Sequence, residues 1–390
     1  MKKLLLLSLT FMSGCLYSMQ KDISIETHSA ALITRPLMLI NQNNEKFSSV
    51  LFNDQKTLFV VLDLECSTLT VYNALTYKKI GTKKPCPFSK SINRALTFNH
   101  EGDQFITRDG PSLNKPIIWY TEKNVSIETD PLKGHKDPII HVAFSQKDDK
   151  FVTTSVDTTA IVWNASTNTE LKVLKGHTSH VNFATFNQKG DTLITTADRE
   201  TILWDATDYT QKASLPYTCG AYNGATDKIL LLKDQYAHLW DAKYVEFTMT
   251  LRGHHEPIMS ATFSPSGDKI ITNSWNQAII WDTATGQKIT VINSPRILSA
   301  AFNAGADKIV LSSRDKTAKI YDSTTGTLLV TIQKQTDQDY IASALFNKEE
   351  DHLITVSSYG DIEIWDISHY CQSGNDFLDK DTDELGCSLQ

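Results

Sequence analysis

Short runs of alternating apolar and polar residues fill this chain, and turn-forming residues separate them. In the stretch 132–174, Ile139 to Ser145 and Phe151 to Ser155 alternate in this way, and Gly, Asn, Asp and Ser bound the runs. The runs are rich in β-branched and aromatic residues, and none has a sustained helical period. The stretch therefore predicts four short antiparallel strands, with the third at Ala160 to Trp163 and the fourth at Leu171 to Leu174.

The same pattern recurs along the chain. An aromatic residue followed by Asn or Ser occurs eight times, about forty residues apart, which defines units one to eight. The aromatic residues are Phe52, Phe98, Phe144, Phe186, Tyr222, Phe263, Phe302 and Phe346. A second aromatic series follows at an offset of 18 (204−186) to 21 (119−98) residues: Tyr72, Trp119, Trp163, Trp204, Trp240, Trp281, Tyr321 and Trp365. One supersecondary unit has therefore been copied eight times, and each copy is too short to bury a core alone.

Units three and four share a more specific motif. Unit three has Gly134-His135, Ser155-Val156-Asp157 and Trp163-Asn164, and unit four has Gly176-His177, Thr196-Ala197-Asp198 and Trp204-Asp205. This order resembles the WD-repeat β-propeller family, and the repeats cover most of residues 45–366. The resemblance implies one four-stranded blade per unit and a hydrogen-bonded network within the blade. The network residues would be His135, Ser155, Asp157 and Trp163 in unit three, and His177, Thr196, Asp198 and Trp204 in unit four.

The fold class we predict is all-β, a closed propeller of four-stranded antiparallel blades over residues 30–368. Unit eight lacks a fourth strand because the chain becomes polar after Ile367, whereas the apolar segment Ala31 to Ile40 precedes unit one. We expect this segment to complete the last blade, since closure removes an exposed sheet edge. The count gives eight blades. A ring of seven, with unit one outside it, is the alternative.

A binding face is the functional feature that this architecture favours. By the resemblance, the loop before the first strand of each unit and the turn between its second and third strands lie on one face. Aromatic and Arg side chains are frequent at binding hot spots. The shortened turn of unit six places Trp275 there, either packed back onto the blade or projecting from it. The candidate contact residues are Arg94, His180, Met259, Trp275, Arg296, Arg314 and Tyr340.

Catalytic chemistry has little support in the sequence. There is no Gly-x-Ser-x-Gly elbow, no phosphate-binding glycine-rich loop and no carboxylate at metal-binding spacing beside the paired histidines. We therefore expect a monomeric, non-catalytic scaffold that binds a protein or peptide and needs no cofactor or metal. A ligand-binding or catalytic propeller that uses its central channel is the alternative. The formal net charge of −7 argues against nucleic acid as the main partner.

Residues 1–18 have the composition of an export signal. Two lysines precede the apolar stretch Leu4 to Met12, which is too short to span a bilayer. The sequence Met12-Ser13-Gly14-Cys15 resembles a bacterial lipoprotein cleavage box, in which Cys15 would carry a lipid. Ordinary cleavage after Ser18 is the alternative. We expect an exported chain, either membrane-anchored through this lipid or periplasmic or secreted, and a cytoplasmic one if the leader is misread.

Six cysteines are consistent with export without establishing it. One is the candidate lipidation site, and Cys219 lies within a predicted strand, where we expect a buried, unpaired thiol. Residues 369–390 form a polar, acidic tail. The pairing cannot be read from the sequence, and a chain with all thiols free stays possible. The disulfide candidates are Cys371 with Cys387, at the ends of the tail, and Cys66 with Cys86, in two loops on one face.

Overall fold

Strands and turns account for the part of the chain that the structure, a computed structural model, describes. None of these described residues is helical, so no helix among them could span a lipid bilayer. The described residues are 31–33, 38–39, 47–52, 58–63, 68–74, 76, 78–83, 97–108, 114–121, 132, 134–334, 339–358 and 361–370.

The strands of the described residues form eight sheets, one for each sequence unit. Two N-terminal strands come first, β1 (Ala31–Ile33) and β2 (Met38–Leu39). Unit one contains β3 (Phe47–Phe52), β4 (Leu58–Asp63), β5 (Thr68–Asn73) and β6 (Lys79–Lys83), and unit two contains β7 (Thr97–Phe98), β8 (Gln104–Arg108) and β9 (Pro116–Tyr120). Unit three contains β10 (Ile139–Phe144), β11 (Lys150–Ser155), β12 (Ala160–Asn164) and β13 (Thr169–Leu174). Unit four contains β14 (Phe183–Phe186), β15 (Thr192–Thr196), β16 (Thr201–Asp205) and β17 (Gln211–Leu215).

The second half of the chain continues in the same way. Unit five contains β18 (Thr218–Asn223), β19 (Lys228–Lys233), β20 (Tyr236–Asp241) and β21 (Glu246–Arg252). Unit six contains β22 (Ser260–Phe263), β23 (Lys269–Asn273), β24 (Gln277–Asp282) and β25 (Lys288–Asn293). Unit seven contains β26 (Ile297–Phe302), β27 (Lys308–Ser313), β28 (Thr317–Asp322) and β29 (Leu328–Gln333), and unit eight contains β30 (Ile341–Phe346), β31 (His352–Ser357) and β32 (Ile362–Asp366).

Within each unit, successive strands pair antiparallel, so every sheet is a meander. The first strands of successive units lie side by side, for example β10 beside β14 and β22 beside β26, whereas fourth strands lie at the far edge of each sheet. First strands are therefore inner strands and fourth strands are outer strands. A fourth strand expected after unit two falls on residues outside the described part of the chain.

The N-terminal segment divides between two sheets. Strand β2 pairs antiparallel with β32, with Leu39 opposite Glu363, and gives unit eight a fourth strand. Strand β1 instead pairs parallel with β29, with Ala31 opposite Val330, so unit seven has five strands. The sequence assigned the whole segment to unit eight. The structure corrects this, because the outer strand of unit seven also offers unpaired N–H and C=O groups that an extended chain can satisfy.

The core lies between neighbouring sheets. Val152 and Val162 of unit three pack in one cluster with Ala184, Leu193 and Ile202 of unit four. Sheets covered on both faces explain why strands such as β27 are buried along their whole length rather than at alternate positions.

Close approach of the chain to the tryptophan ring explains the glycine of the Gly-His pair. A Cβ atom on Gly134 would lie 2.7 Å from Cη2 of Trp163 and 2.9 Å from Cδ1 of Ile161. In unit six, a Cβ atom on Gly253 would lie 3.1 Å from Cη2 of Trp281. A larger residue would therefore displace the ring that fills the core of the unit.

Candidate protein-binding face

A buried hydroxyl joins the histidine and the tryptophan of unit three. His135 Nε2 lies 2.8 Å from Thr153 Oγ1, and Trp163 Nε1 donates to the same oxygen at 2.9 Å. On its other side, His135 Nδ1 lies 2.9 Å from Asp157 Oδ2. Burial would raise the pKa of Asp157, but hydrogen bonds from His135, Thr159 and the backbone of Lys136 hold it well below its usual range.

The prediction that Ser155 supplies the hydroxyl between His135 and Trp163 is wrong. Ser155 stands at the end of β11, where its hydroxyl donates to the carbonyl of Asp137 at 2.9 Å and accepts the N–H of Asp157 at 3.1 Å. It braces the turn, whereas Thr153, one pleat repeat earlier on the same face, reaches the tryptophan.

Unit four needs two corrections. His177 Nε2 lies 2.7 Å from Thr195 Oγ1, which also accepts from Trp204 Nε1 at 2.8 Å, so Thr195 takes the place predicted for Thr196. The carboxylate beside His177 Nδ1 belongs to Glu200 at 3.2 Å. Asp198 accepts from Asn182 instead, at 2.7 Å. Burial lowers the pKa of His177 in spite of this glutamate, and the longer Glu200 side chain reaches it from the residue before β16.

The spacing between threonine and tryptophan in the sequence is a signal for the hydroxyl that accepts the indole N–H. The same Trp-to-Thr hydrogen bond occurs in units two, three, four, six and eight. The threonine precedes the tryptophan by between 9 (281−272) and 12 (119−107) residues. The recurring spacing identifies the threonine as the hydrogen-bond partner of the tryptophan, which the motif of one unit alone does not. A shared hydrogen-bond network of this kind holds each turn rigid.

Unit six has lost the acid of the network. His254 Nε2 lies 2.7 Å from Thr272 Oγ1, and Trp281 donates to the same hydroxyl at 2.8 Å. The Nδ1 atom of His254 is buried without a hydrogen-bond partner, and burial lowers the pKa of this histidine to about 4. The turn that would supply the acid instead carries Trp275, between β23 and β24.

All six described candidate contact residues lie at one edge of the sheets. Each stands in the loop before an inner strand or in the turn after a second strand: His180, Met259, Trp275, Arg296, Arg314 and Tyr340. Backbone hydrogen bonds tie neighbouring loops together. The N–H of Ile297 donates to the carbonyl of Trp275 at 2.8 Å, and the N–H of Arg314 donates to the carbonyl of Arg296 at 3.1 Å.

Three of these candidates meet across units six, seven and eight. The exposed guanidinium of Arg314 lies 5.9 Å from the ring centroid of Trp275 and 5.2 Å from that of Tyr340. Both distances are within the range of a cation–π contact. Trp275 is half-buried, so the two alternatives for this residue combine: one part of the ring packs, and another part faces the arginine. Within the described part of the chain, no carboxylate forms a salt bridge with Arg314.

Arg296 lies next to this cluster in an uncommon backbone conformation. Its φ is 53°, in the left-handed region that costs a non-glycine residue about 1–3 kcal/mol. Its N–H donates to Asn276 Oδ1 at 3.3 Å, and its side chain is exposed. Asn276, which the sequence did not single out, thus positions an exposed arginine.

The remaining predictions are not brought into the cluster. Met259 is 45% exposed and lies in unit six, and the exposed His180 lies in unit four. Burial raises the pKa of the free Cys219 thiol to about 12, which makes it unreactive. Arg94, the leader with Cys15, and the disulfide candidates Cys66, Cys86, Cys371 and Cys387 lie outside the described residues.

Known proteins share these repeats. The family model described as "WD domain, G-beta repeat" matches residues 126–164, 168–205 and 245–282. The chain is a WD40-repeat protein. In this WD40-repeat protein, the segment 168–205 runs from β13 to β16 and the segment 245–282 runs from β21 to β24, so each of these two repeats joins the outer strand of one sheet to three strands of the next.

Curated relatives match parts of this WD40-repeat protein. The COMPASS component SWD3 of Saccharomyces cerevisiae is 30% identical over 134 residues, which cover 31% of this chain and 42% of the relative. Protein tipD of Dictyostelium discoideum is 26% identical over 258 residues, covering 61% and 41%. The guanine nucleotide-binding protein subunit beta of Nicotiana tabacum is 26% identical over 127 residues, covering 30% and 34%. The chain thus spans less than half the length of these relatives.

Solved structures agree on the fold. The C-terminal WD40 domain of Sif2 superposes with a TM-score of 0.71 at 16% identity, covering 86% of this chain and 99% of that one. The computationally designed Ika8 protein gives a TM-score of 0.68 at 18% identity, covering 87% and 100%. These likenesses concern the all-β WD40 fold alone. The relatives named above are eukaryotic, so they give no support to the bacterial, lipoprotein-like subtype that the leader suggested.

Proposed function

We propose that this WD40-repeat protein is a non-catalytic platform that binds a protein or peptide partner at the loop edge around Trp275, Arg314 and Tyr340. The observation that carries the proposal is the exposed guanidinium held between two aromatic rings. Arg, Trp and Tyr are the residues that most often dominate binding energy. Because three units contribute one side chain each, the cluster is held in place before a partner arrives, which lowers the entropic cost of association.

The relatives support a binding role. One is named as a component of COMPASS and another as a subunit of a guanine nucleotide-binding protein, so both belong to larger assemblies. The internal networks supply what a platform needs. Their buried polar groups are satisfied in units three and four, where a missing partner would cost about 1–3 kcal/mol for each group.

The test is partner retention by single variants. The full chain and its Arg314→Ala and Trp275→Ala variants are used as bait after chemical crosslinking in the source cell. Loss of a hot-spot side chain costs about 2 kcal/mol, so the affinity for the partner should fall roughly thirtyfold, and less partner should be captured. Matched controls lie at the opposite sheet edge: Lys147→Ala for the cation and Tyr244→Ala for the aromatic ring. Equal retention by all four variants would contradict the choice of face.

We further infer that the ring is closed and has eight blades, rather than seven. The eight sheets and the pairing of β2 with β32 support this inference. A closed ring would join the N-terminal segment to the last unit and leave no inner sheet face open. Class averages from negative-stain electron microscopy would count the lobes directly, and seven lobes with a separate density would contradict it.

We also propose that the chain is exported as a monomer, either as a lipid-anchored protein or as a free one. The support is the leader, with two lysines before the apolar stretch Leu4 to Met12. Intact-mass analysis of the mature N-terminus decides between the forms. An acyl group on Cys15 indicates anchoring, and cleavage after Ser18 indicates a free chain. An intact Met1 would contradict export and favour a cytoplasmic protein.

A further inference from the structure

Unit five has exchanged its network for a ladder of aromatic side chains. Leu231 stands where other units have the bridging threonine, because it lies opposite His238 just as Thr153 lies opposite Ile161. The indole N–H of Trp240 is consequently buried without a hydrogen-bond partner. The Gly-His pair is absent, and Tyr217 packs there instead, with ring centroids 5.0 Å from His238 and 6.5 Å from Trp240.

The ladder continues onto β21, the outer strand. Three cross-strand pairs share one face of the sheet: Trp240 with Phe247, His238 with Thr250, and Tyr236 with Arg252. The Trp240 and Phe247 rings meet edge to face at 5.8 Å, and His238 Nδ1 lies 3.0 Å from Thr250 Oγ1. We call these six residues the unit-five ladder.

The outer end of the ladder is exposed and cationic. Phe247 is 53% exposed, and the guanidinium of Arg252 lies 4.9 Å from the ring centroid of Tyr236. Lys233 lies 5.8 Å from the ring centroid of Tyr217. Within the described part of the chain, neither cation has a carboxylate partner. Burial, together with these two cations, lowers the pKa of His238. The positive charge of the ladder therefore lies on Arg252 of the outer strand rather than on the histidine.

Four of the described outer strands contain a lysine, which protects a sheet edge from pairing with a further strand. A lysine on an edge strand discourages another strand from adding to it. Among the described outer strands of units one and three to seven, β6, β13, β17 and β25 each contain a lysine, and β21 and β29 contain none. Strand β29 is covered by β1, which pairs with it in parallel. Strand β21 has seven residues and pairs only with β20 among the described strands.

We propose that β21 binds an extended segment of a partner protein as a fifth strand of unit five, with an apolar side chain beside Phe247 and a carboxylate beside Arg252. The backbone of the segment satisfies the unpaired N–H and C=O groups of the edge, and the ladder selects its side chains. The bound β1 shows that an outer edge of this fold accepts a parallel strand. Arg252 on the edge strand, which has no carboxylate partner among the described residues, selects an acidic segment.

The register fixes the spacing of the two side chains. On β20, Trp240 and Tyr236 are four residues apart and lie opposite Phe247 and Arg252. On β21 itself Phe247 and Arg252 are five residues apart, because the register shifts between Leu239 and Trp240. An added strand without such an irregularity spans the two positions as β20 does, and it places its two selected side chains four residues apart on one face. In the parallel orientation that β1 adopts on β29, the apolar residue comes first and the carboxylate follows.

The probe is a fluorescently labelled nine-residue peptide with phenylalanine at its third position, aspartate at its seventh and threonine or valine between them. Fluorescence anisotropy with the full chain should give saturable binding. Arg252→Glu places like charges opposite each other and should weaken binding by about tenfold or more. A peptide with lysine at the seventh position should recover that loss on the Arg252→Glu chain. No saturable binding by the unaltered chain, or no recovery by the lysine peptide, overturns the proposal.

A second variant separates the edge from the charge. Thr248→Lys places on exposed β21 the lysine that four other outer strands carry, and it should abolish binding. Thr169→Lys on β13 is the matched control and should leave binding unchanged. Arg314→Ala should also leave it unchanged, so failure here is independent of the face proposed above. If the chain sediments as a dimer that Thr248→Lys converts to monomer, a second copy occupies the edge and the proposal is wrong.

Discussion

Loss of the buried cation Lys334 should strongly destabilise the fold. It follows β29 of unit seven, and its side chain is only 2% exposed. Its ammonium group lies 2.6 Å from a carboxylate oxygen of Asp339, 3.1 Å from one of Asp361 and 3.5 Å from one of Glu363. Glu363 lies on β32, opposite Leu39 of β2. One buried cation therefore joins units seven and eight where the N-terminal strand is added.

Replacing Lys334 with Met keeps the length and apolar character of the stem but leaves three carboxylates without their cation. Removing one partner of a buried ion pair costs about 3–5 kcal/mol. With a denaturant slope of about 3 kcal/mol per molar urea, the unfolding midpoint should fall by roughly 1–2 M. The assay is urea unfolding followed by tryptophan fluorescence at pH 7.

The matched control is Lys319→Met. Lys319 lies 3.1 Å from Asp315, but these side chains are 21% and 28% exposed. A pair of this kind contributes about 0–1 kcal/mol. A midpoint for Lys334→Met that equals that of the control would refute the reasoning. So would the absence of any recovery when Asp339→Asn is added to Lys334→Met, because that second change removes an uncompensated buried charge.

The pH dependence of this difference follows from the shifts. Burial would lower the pKa of Lys334, but Asp339 and Glu363 raise it above its usual value, so its contribution is present below an unfolded pKa of about 10.4 and is lost as pH rises through the folded value. Burial would raise the pKa of Asp339, but Lys334 and hydroxyl donors hold it down, so its contribution is lost as pH falls below about 3.9. The gap between wild type and Lys334→Met should therefore be widest between these limits.

Three further predictions concern unit three. Gly134→Ala forces a Cβ atom against Trp163 and should cost about 1–3 kcal/mol, measured as a lower urea midpoint; an unchanged midpoint would contradict the close approach. Thr153→Val should cost more than Ser155→Ala, since it leaves the buried indole N–H of Trp163 without an acceptor and Nε2 of His135 without its partner, at about 1–3 kcal/mol for each; the reverse order would restore the sequence assignment. Asp157→Asn should flatten the loss of stability in acid, because the depressed pKa of Asp157 contributes stability that disappears as pH falls below about 3.9; parallel acid profiles would argue against this.

The sequence predicted the strands of the repeat well. Periodic aromatic residues are reliable because each unit must bury the same face against its neighbour, and Trp163, Trp281 and Trp365 are all fully buried. The candidate face was only partly accessible to this reasoning. Loop position suggested Trp275, Arg314 and Tyr340 separately, but their contact depends on the angle between three adjacent sheets, which no local pattern encodes.

Side-chain partners were the least predictable feature. The sequence motif pointed to Ser155, but Thr153, two residues earlier on the same face of β11, accepts the hydrogen bond from Trp163. Likewise, Glu200 takes the place predicted for Asp198 beside His177, because its longer side chain reaches the ring from the residue before β16. Two candidate hydrogen-bond partners that lie two residues apart on a strand, or that differ by one methylene group, are similar in the local sequence. Their hydrogen-bond energies differ only once the surrounding sheets are in place.

By itself, the sequence determined that this chain is a series of eight β-sheet units, because apolar period and turn residues act over a few neighbours. The tertiary structure alone decided how the N-terminal segment divides between β29 and β32, and which cations stand on aromatic rings. Those features depend on contacts between residues far apart in the chain, whose energies exist only after the sheets have assembled.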